Sequence, residues 1–223
     1  MEITVITAAV IFSFASIYVY YYKRDMYVYI KPIPIILLIF LYLFYFINSP
    51  HKNIFHSMII VGLFLGLIGD ILLAFKMRFF LPGLISFLLG HVAYIITFSG
   101  KPFAIPNLLI AGIASVISFY VIILIGKINP ETRKKMIIPI ALYIITLSAM
   151  FLSAINYDLN DKFYAPLFVI GSALFVISDA TLAWERFVIE YKFSTLIILS
   201  TYYAAQILIA VKGISILNQG FLN

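Results

Sequence analysis

The sequence contains no cysteine, and only 11% of its 223 residues are charged. The absence of cysteine excludes disulfide bonds and metal sites built from thiolates. A soluble domain is typically about a quarter charged and about half apolar, whereas this chain is 64% hydrophobic with a mean hydropathy of +1.12. So little polar surface excludes a soluble enzyme, a disordered regulator and a nucleic-acid-binding module. The composition indicates an integral membrane protein.

The chain divides into eight apolar stretches, each close to the ~20 residues that a membrane helix requires. The predicted spans are about 3–22, 30–47, 54–75, 79–98, 103–125, 136–155, 163–186 and 194–216. No loop between them is long enough for a separate domain, so we predict a single all-α transmembrane bundle over residues 1–223. The first span carries Glu2 before it and basic residues after it, the reverse of a signal peptide, and is interpreted as a retained helix.

Basic residues predict the orientation of the bundle. Those at the loops after spans one, three, five and seven, with the adjoining helix ends, are Lys23, Arg24, Lys31, Lys76, Arg78, Lys127, Arg133, Lys134, Lys135, Arg186 and Lys192. Those on the opposite side are Lys52, Lys101, Lys162 and Lys212. Because cytoplasmic loops carry the excess of Lys and Arg, we predict that the odd-numbered loops are cytoplasmic and that both termini lie on the non-cytoplasmic side.

Two acids stand inside apolar spans, where a charged side chain costs at least ~2.5 kcal/mol. Asp70 lies in the third span and Asp179 in the seventh, both in the predicted cytoplasmic half. At about 100° per residue, each acid falls at the edge of a face that is rich in small residues and suited to helix contacts. These faces comprise Gly62, Gly66 and Gly69 with the first acid, and Gly171, Phe175 and Ser178 with the second.

The surroundings of the two acids match at an offset of 109 residues. Gly69-Asp70-x-x-Leu73-Ala74 resembles Ser178-Asp179-x-x-Leu182-Ala183, and Tyr94 corresponds to Tyr203. This pattern predicts two four-helix halves in the same orientation, residues 1–101 and 102–223, related by an axis along the membrane normal.

The two acids have a structural and a functional interpretation. As structural groups, they would be protonated or hydrogen-bonded and would hold the bundle together. As functional groups, they would form a pair, one protonated and one ionised, able to give and take a proton. His91 could satisfy a neighbour or pair with either acid. Asp70, His91 and Asp179 could supply three metal ligands, but metal is the less favoured alternative, and we predict no metal and no cofactor.

Other polar residues have weaker interpretations. Tyr202 and Gln206 either line a pocket or make a helix–helix hydrogen bond. Lys31, before Pro32 and Pro34, is a topology charge or meets a lipid phosphate at a substrate mouth. The histidines outside the predicted cytoplasmic half, His51 and His56, are interpreted as solvated, and so is the basic cluster Arg133-Lys134-Lys135.

Taken together, these motifs resemble the YhhN family of lysoplasmalogenase-like membrane proteins over nearly the whole chain. The resemblance rests on Lys31-Pro32-x-Pro34, Gly69-Asp70-x-x-Leu73, Gly83, Phe87, His91-x-x-Tyr94, Gly171 to Phe175, Ser178-Asp179-x-x-Leu182-Ala183 and Tyr202-Tyr203-x-x-Gln206. It implies eight spans and hydrolysis of the vinyl ether bond of lysoplasmalogen to a fatty aldehyde and glycerophosphoethanolamine or glycerophosphocholine. It also implies catalytic roles for Asp70 and Asp179. The residues expected to bind substrate or to support these acids are Lys31, His91, Tyr94, Ser178, Tyr202, Tyr203 and Gln206.

The expected reaction fits two buried acids, because vinyl ether hydrolysis needs a proton donor and a carboxylate beside the developing cation, without a nucleophilic serine. We therefore expect a multi-pass protein of the cell membrane, or of the inner membrane in a bacterium, with a lysophospholipid as substrate. One alternative is a proton-coupled transporter or lipid-binding protein that uses the same acids as a relay. Another is an ester or amide hydrolase acting on a different lysolipid.

Overall fold

A computed structural model describes residues 2–75, 79–161 and 165–219 of the chain. Every regular element among these residues is an α-helix. The helices are α1 (Glu2–Tyr22), α2 (Arg24–Ile30), α3 (Ile33–Asn48), α4 (Ile54–Ala74), α5 (Phe80–Phe98), α6 (Asn107–Lys127), α7 (Pro130–Asn160), α8 (Leu167–Phe187) and α9 (Ser194–Gln219). Eight helical spans in this part of the chain are long and apolar enough to cross a membrane, with α2 and α3 forming one of them. The predicted all-α architecture with eight membrane helices is confirmed.

The second span differs from its prediction because it is broken at Lys31, which lies between α2 and α3. Pro32 and Pro34 explain the break, since proline lacks the amide hydrogen that a continuous helix needs but fits well in a first turn. The carbonyl oxygen of Lys31 accepts a hydrogen bond from the Tyr203 hydroxyl on α9, at 2.9 Å. Lys31 is therefore held inside the span and does not open it.

The sixth span, α7, extends beyond the predicted range of about 136–155 in both directions. Asn129 caps its N-terminus by accepting a hydrogen bond from the amide of Glu131 at 2.9 Å. At the other end the helix continues through Asp158 as far as Asn160. Hydropathy alone predicts too short a span here, because polar residues at its ends extend the membrane helix into the headgroup region.

Two helix hairpins form the centre of the bundle, α4 with α5 and α8 with α9. The first hairpin closes on glycines, since a Cβ added at Gly90 would lie 3.5 Å from the carbonyl oxygen of Gly62. Small residues suit membrane helix interfaces because van der Waals packing, and not the hydrophobic effect, holds the helices together there. A serine also bridges each hairpin, Ser86 in the first and Ser178 in the second, by donating to a backbone carbonyl of the partner helix at 2.7 and 3.1 Å.

The other helices surround these hairpins and determine what each acid meets. α9 packs on α1, α3 and α4, and α7 packs on α5 and α8. Asp70 on α4 therefore faces α9, whereas Asp179 on α8 faces α7.

Helix α6 lies at the periphery, and Leu124 is its single buried side chain. It is attached at its C-terminal half, where Leu124 packs with Ile128 and Ile140. The hydroxyl of Tyr120 donates to the carbonyl oxygen of Ala180 on α8 at 2.6 Å. An apolar helix with so much exposed surface is suited to contact with lipid.

Candidate active site

Asp70 forms the centre of the first polar cluster. Its carboxylate is buried and accepts a hydrogen bond from the Tyr202 hydroxyl at 2.8 Å. The ammonium of Lys31 lies 3.4 Å from the other carboxylate oxygen. A buried charge is tolerated when it is paired and hydrogen-bonded, and Asp70 has both kinds of partner.

A chain of hydrogen bonds continues from Asp70 toward the other end of the bundle. Gln206 donates to the Tyr202 hydroxyl at 3.4 Å and accepts from the Tyr94 hydroxyl at 2.6 Å. Gly66 makes room for this chain, since a Cβ at that position would lie 2.5 Å from the side-chain nitrogen of Gln206 and 3.1 Å from the Tyr202 hydroxyl. The glycine-rich face of α4 thus admits polar side chains of α9 to the acid.

Asp179 forms the centre of the second cluster. Its Oδ2 accepts a hydrogen bond from the Tyr143 hydroxyl at 2.8 Å and lies 3.5 Å from Nε2 of His91. No Lys or Arg in the described part of the chain forms an ion pair with this carboxyl group. The Nδ1 atom of His91 is buried and has no hydrogen-bond partner among the described residues.

The two clusters are neighbours that share an aromatic wall. The ring of Phe175 lies 5.8 Å from the ring of Tyr202 and 5.3 Å from the ring of His91, between centroids. Within the described residues, no hydrogen bond or ion pair joins Asp70 to Asp179. Each acid instead has one tyrosine and one basic side chain of its own.

A cavity of about 720 Å³ opens at the end of the bundle above Lys31. Helices α1, α2, α4, α5, α8 and α9 contribute to its wall, together with residues between α8 and α9. The charged residues that the described part of the chain contributes to this polar cavity are Arg24, Asp25, Lys31, Glu185, Arg186 and Glu190. The first cluster therefore reaches the cavity through Lys31.

A second cavity, of about 270 Å³, lies between α5, α6, α7 and α8. Its lining is almost entirely apolar, and Asp179 and Tyr143 are exceptions in it. Phe80 and Leu182 line both cavities, so the apolar cavity adjoins the polar one. The two cavities together suit an amphiphile that has a charged head and an apolar chain.

The model of the YhhN family matches residues 26–213. The chain belongs to the YhhN family. The resemblance predicted from the motifs is confirmed, and this membership together with the eight apolar helices identifies an integral, multi-pass membrane protein.

Several relatives of this YhhN protein are named lysoplasmalogenases. The lysoplasmalogenases TMEM86B of Rattus norvegicus and of Homo sapiens are each 29% identical to it over 147 residues, or 66% of this chain. A lysoplasmalogenase homolog of Dictyostelium discoideum is 31% identical over 144 residues, 53% of this chain and 47% of that protein. The matches cover 57% and 59% of the rat and human proteins. No solved structure matches the chain.

The residues singled out in the YhhN motifs fall into three groups in the structure. Five of them surround Asp70 directly or through one another, namely Lys31, Tyr94, Tyr202, Tyr203 and Gln206. His91 belongs with Asp179, whereas Ser178 donates to the carbonyl oxygen of Ile198 and joins α8 to α9. Asp70, His91 and Asp179 do not form a three-ligand group, and no other set of three metal-binding side chains clusters in the described ranges. The catalytic assignment of the two acids remains a prediction.

Sequence reasoning missed Tyr143, the hydrogen-bond donor to Asp179. The chain has 16 tyrosines, and membrane proteins concentrate tyrosine at the membrane–water interfaces. A tyrosine at position 143 therefore does not by itself indicate a residue of the site. The one available signal was the separation of 36 residues from Asp179, which places it on the preceding span.

Two basic residues of the outer end are buried. Lys212, counted above among the basic residues on the side opposite the odd-numbered loops, is fully buried and pairs with Asp158 and Asp161. The interpretation of His56 as solvated was wrong. His56 is buried and not solvated, because its Nδ1 lies 2.8 Å from the Tyr42 hydroxyl. Position near the end of an apolar run does not distinguish a solvated residue from one that faces the bundle interior.

Proposed function

We propose that this protein is a membrane-embedded hydrolase that cleaves the vinyl ether bond of a lysoplasmalogen. The observation that carries the proposal is Asp179, an acid without a described cationic partner in the wall of an apolar cavity that adjoins a charged one. Relatives named lysoplasmalogenases support it. The headgroup would occupy the polar cavity and the alkenyl chain the apolar cavity.

In the proposed reaction, Asp179 is protonated and gives its proton to the alkene carbon farther from the ether oxygen. An ionised Asp179 would have no countercharge in the apolar wall, so the neutral acid is the stable resting form. The Tyr143 hydroxyl and His91 both approach Oδ2, which leaves Oδ1 to carry the proton. The carboxylate formed by transfer then stabilises the oxocarbenium ion beside it.

Water completes the reaction by adding to the carbon bonded to oxygen. Asp179 takes up the proton that the water loses, and the resulting hemiacetal breaks down to a fatty aldehyde and the glycerol hydroxyl of the headgroup fragment. The water needs an acceptor that orients it. The unpartnered Nδ1 of His91 is our candidate, since a ring that donates from Nε2 to Asp179 keeps a lone pair on Nδ1.

Asp70 has a different proposed role, because Lys31 stabilises its ionised form. The pair holds Lys31 at the base of the polar cavity, where the ammonium group helps position the substrate headgroup. We therefore expect both acids to be required, Asp179 for proton transfer and Asp70 for placing the substrate.

We extend the proposal to the orientation of the bundle in the membrane. The polar cavity lies at the end of the bundle that carries Arg24, Lys31 and Arg186, which the positive-inside rule places in the cytoplasm. Both termini then lie on the non-cytoplasmic side, and the lysolipid enters from the cytoplasmic leaflet beside α6. The two central hairpins, α4 with α5 and α8 with α9, comprise the third and fourth and the seventh and eighth spans, which supports two related halves of four spans.

The test is incubation of the purified protein with lysoplasmalogen in D₂O, followed by mass spectrometry of the products. Protonation at carbon predicts an aldehyde with one deuterium next to the carbonyl group. Release of a fatty acid instead would indicate an ester or amide hydrolase. Uptake into liposomes that is driven by a pH gradient, without any product, would support the proton-coupled transporter.

A further inference from the structure

Helix α6 borders the apolar cavity but packs on the bundle over only part of its length. Val116, Ile117, Tyr120 and Leu124 line the cavity from this helix. Every side chain of α6 before Leu124 is at least partly exposed. One turn before Leu124, the Tyr120 hydroxyl donates to the carbonyl oxygen of Ala180 on α8 at 2.6 Å. The contact between α6 and α8 therefore lies in the C-terminal half of α6.

The cavity reaches the surface of the bundle one turn before this contact. α6 and α8 cross the membrane in the same direction, because one membrane helix, α7, lies between them in the chain. Val116 therefore precedes Tyr120 on one helix as Ile177 precedes Ala180 on the other. Val116 and Ile177 both line the cavity, yet they are 71% and 47% exposed. Side chains that line a cavity and are also exposed show where the cavity opens.

This side opening, defined by Val116 and Ile177, lies far from the ends of both helices. Ile177 is ten residues from the start of α8 at Leu167, and Val116 is eleven residues from the end of α6 at Lys127. Each separation corresponds to about 15–16 Å of helix. Since the hydrocarbon core of a bilayer is ~30 Å thick, the opening faces the chains of the membrane lipids and not their headgroups.

The cavity passes three levels along α8. Leu182 lines the polar cavity as well, Asp179 lies about one turn further, and Ile177 follows beside the side opening. At the level of Asp179 the wall formed by α7 is buried, because Tyr143 and Leu147 are each 8% exposed. A chain that starts in the polar cavity and passes Asp179 therefore reaches the side opening within about one turn of helix.

We propose that the apolar cavity is open-ended. The first carbons of a single lipid chain bind beside Asp179, and the rest of the chain passes between α6 and α8 into the bilayer. Lipid tails are as apolar as leucine side chains, so each further methylene group outside the opening changes the binding free energy little. The protein therefore discriminates weakly between chain lengths, whereas a closed cavity would reject chains longer than itself. That the bound lipid is the substrate rests on the proposed function, but the path of the chain does not.

Native mass spectrometry measures the chain-length preference without any turnover. The detergent-solubilised protein is offered an equimolar mixture of lauroyl and stearoyl lysophosphatidylcholine, which are esters without a vinyl ether bond. The open-ended cavity predicts that the stearoyl lipid is retained at least as well as the lauroyl lipid. A closed cavity would have to overpack to admit the longer chain, which corresponds to roughly tenfold weaker retention. Weaker retention of the stearoyl lipid would overturn the proposal.

Tryptophan variants locate the side opening. Ile177→Trp and Val116→Trp narrow it from its two sides, and each should lower the ratio of stearoyl to lauroyl retention roughly tenfold. The matched control is Phe119→Trp, at a position of α6 that is 67% exposed and that the described lining does not include; it should keep the ratio of the unmodified protein. A ratio that stays unchanged in both narrowing variants would show that the assignment is wrong.

The outcome separates this proposal from the proposed reaction. Retention of both chain lengths without aldehyde release from lysoplasmalogen would leave the side opening standing and refute the reaction. Aldehyde release together with rejection of the stearoyl lipid would do the reverse. Since the unmodified protein reports the preference by itself, a variant that fails to fold does not remove the test.

Discussion

Lys212 is the buried charge whose removal should cost the protein most stability. Its ammonium pairs with Asp158 and lies 3.1 Å from a carboxylate oxygen of Asp161. It also donates to the carbonyl oxygen of Ala165 at 3.2 Å and lies 4.7 Å from the ring centroid of Phe168. This one side chain of α9 therefore connects α9 to the end of α7 and to the segment that leads into α8.

Replacing Lys212 by Met keeps the length and apolar stem of the side chain but removes its charge. Lys212 is fully buried, and the side chains of Asp158 and Asp161 are 5% and 10% exposed. Breaking a buried pair by removing one partner costs about 3–5 kcal/mol, because the other charge stays behind. For a chain of this size each kcal/mol lowers Tm by about 2–4 °C, which predicts a fall of roughly 6–20 °C.

The assay is thermal unfolding in detergent, with folded protein measured by size-exclusion chromatography after heating. Lys52→Met, at an exposed position, is the matched control and should melt like the parent. Adding Asp158→Asn and Asp161→Asn to Lys212→Met should recover part of the loss, since no unpaired charge then remains. A Tm for Lys212→Met within the scatter of the control would refute the reasoning.

Two further predictions concern close packing and the candidate acid. Gly62→Ala should destabilise the protein by about 1–3 kcal/mol, because the new Cβ would lie 2.5 Å from the Tyr94 ring. The control is Gly90→Ala, whose new Cβ would meet nothing closer than 3.5 Å and whose Tm should be close to that of the unmodified protein. Equal Tm values for the two variants would contradict the close packing of Gly62 on Tyr94. Tyr143→Phe removes a hydrogen bond to Asp179 and should lower kcat for aldehyde release roughly tenfold, measured at a temperature where the variant is fully folded. An unchanged kcat would show that Tyr143 does not assist the reaction.

Composition and spacing predicted the class of fold because the membrane constrains a chain strongly. Backbone groups in lipid must be satisfied internally, so eight apolar stretches of sufficient length become eight helical spans. The same stretches could not predict the break at Lys31, although Pro32 and Pro34 were visible. Whether two prolines kink a span or begin it depends on contacts with other helices, here the hydrogen bond that the Tyr203 hydroxyl donates to the Lys31 carbonyl oxygen.

The two acids of the candidate site could be predicted from the sequence, but their arrangement in space could not. Asp70 and Asp179 stood out because intramembrane charge is costly. Their separation into two clusters depends on which helix packs on each face, α9 on one and α7 on the other. Nothing in the local sequence around either acid specifies that neighbour, and the donor Tyr143 was hidden for the same reason.

The role of Asp179 is tested most directly by aldehyde release from lysoplasmalogen by purified Asp179→Asn, compared with the unmodified protein and with Glu131→Gln. Asparagine keeps the shape of the side chain but cannot give a proton to carbon. The account predicts that the unmodified protein and Glu131→Gln release aldehyde at equal rates, while Asp179→Asn is slower by roughly 10²–10⁴-fold and elutes as a folded protein. Asp179→Asn that turned over at the rate of the unmodified protein would contradict the account.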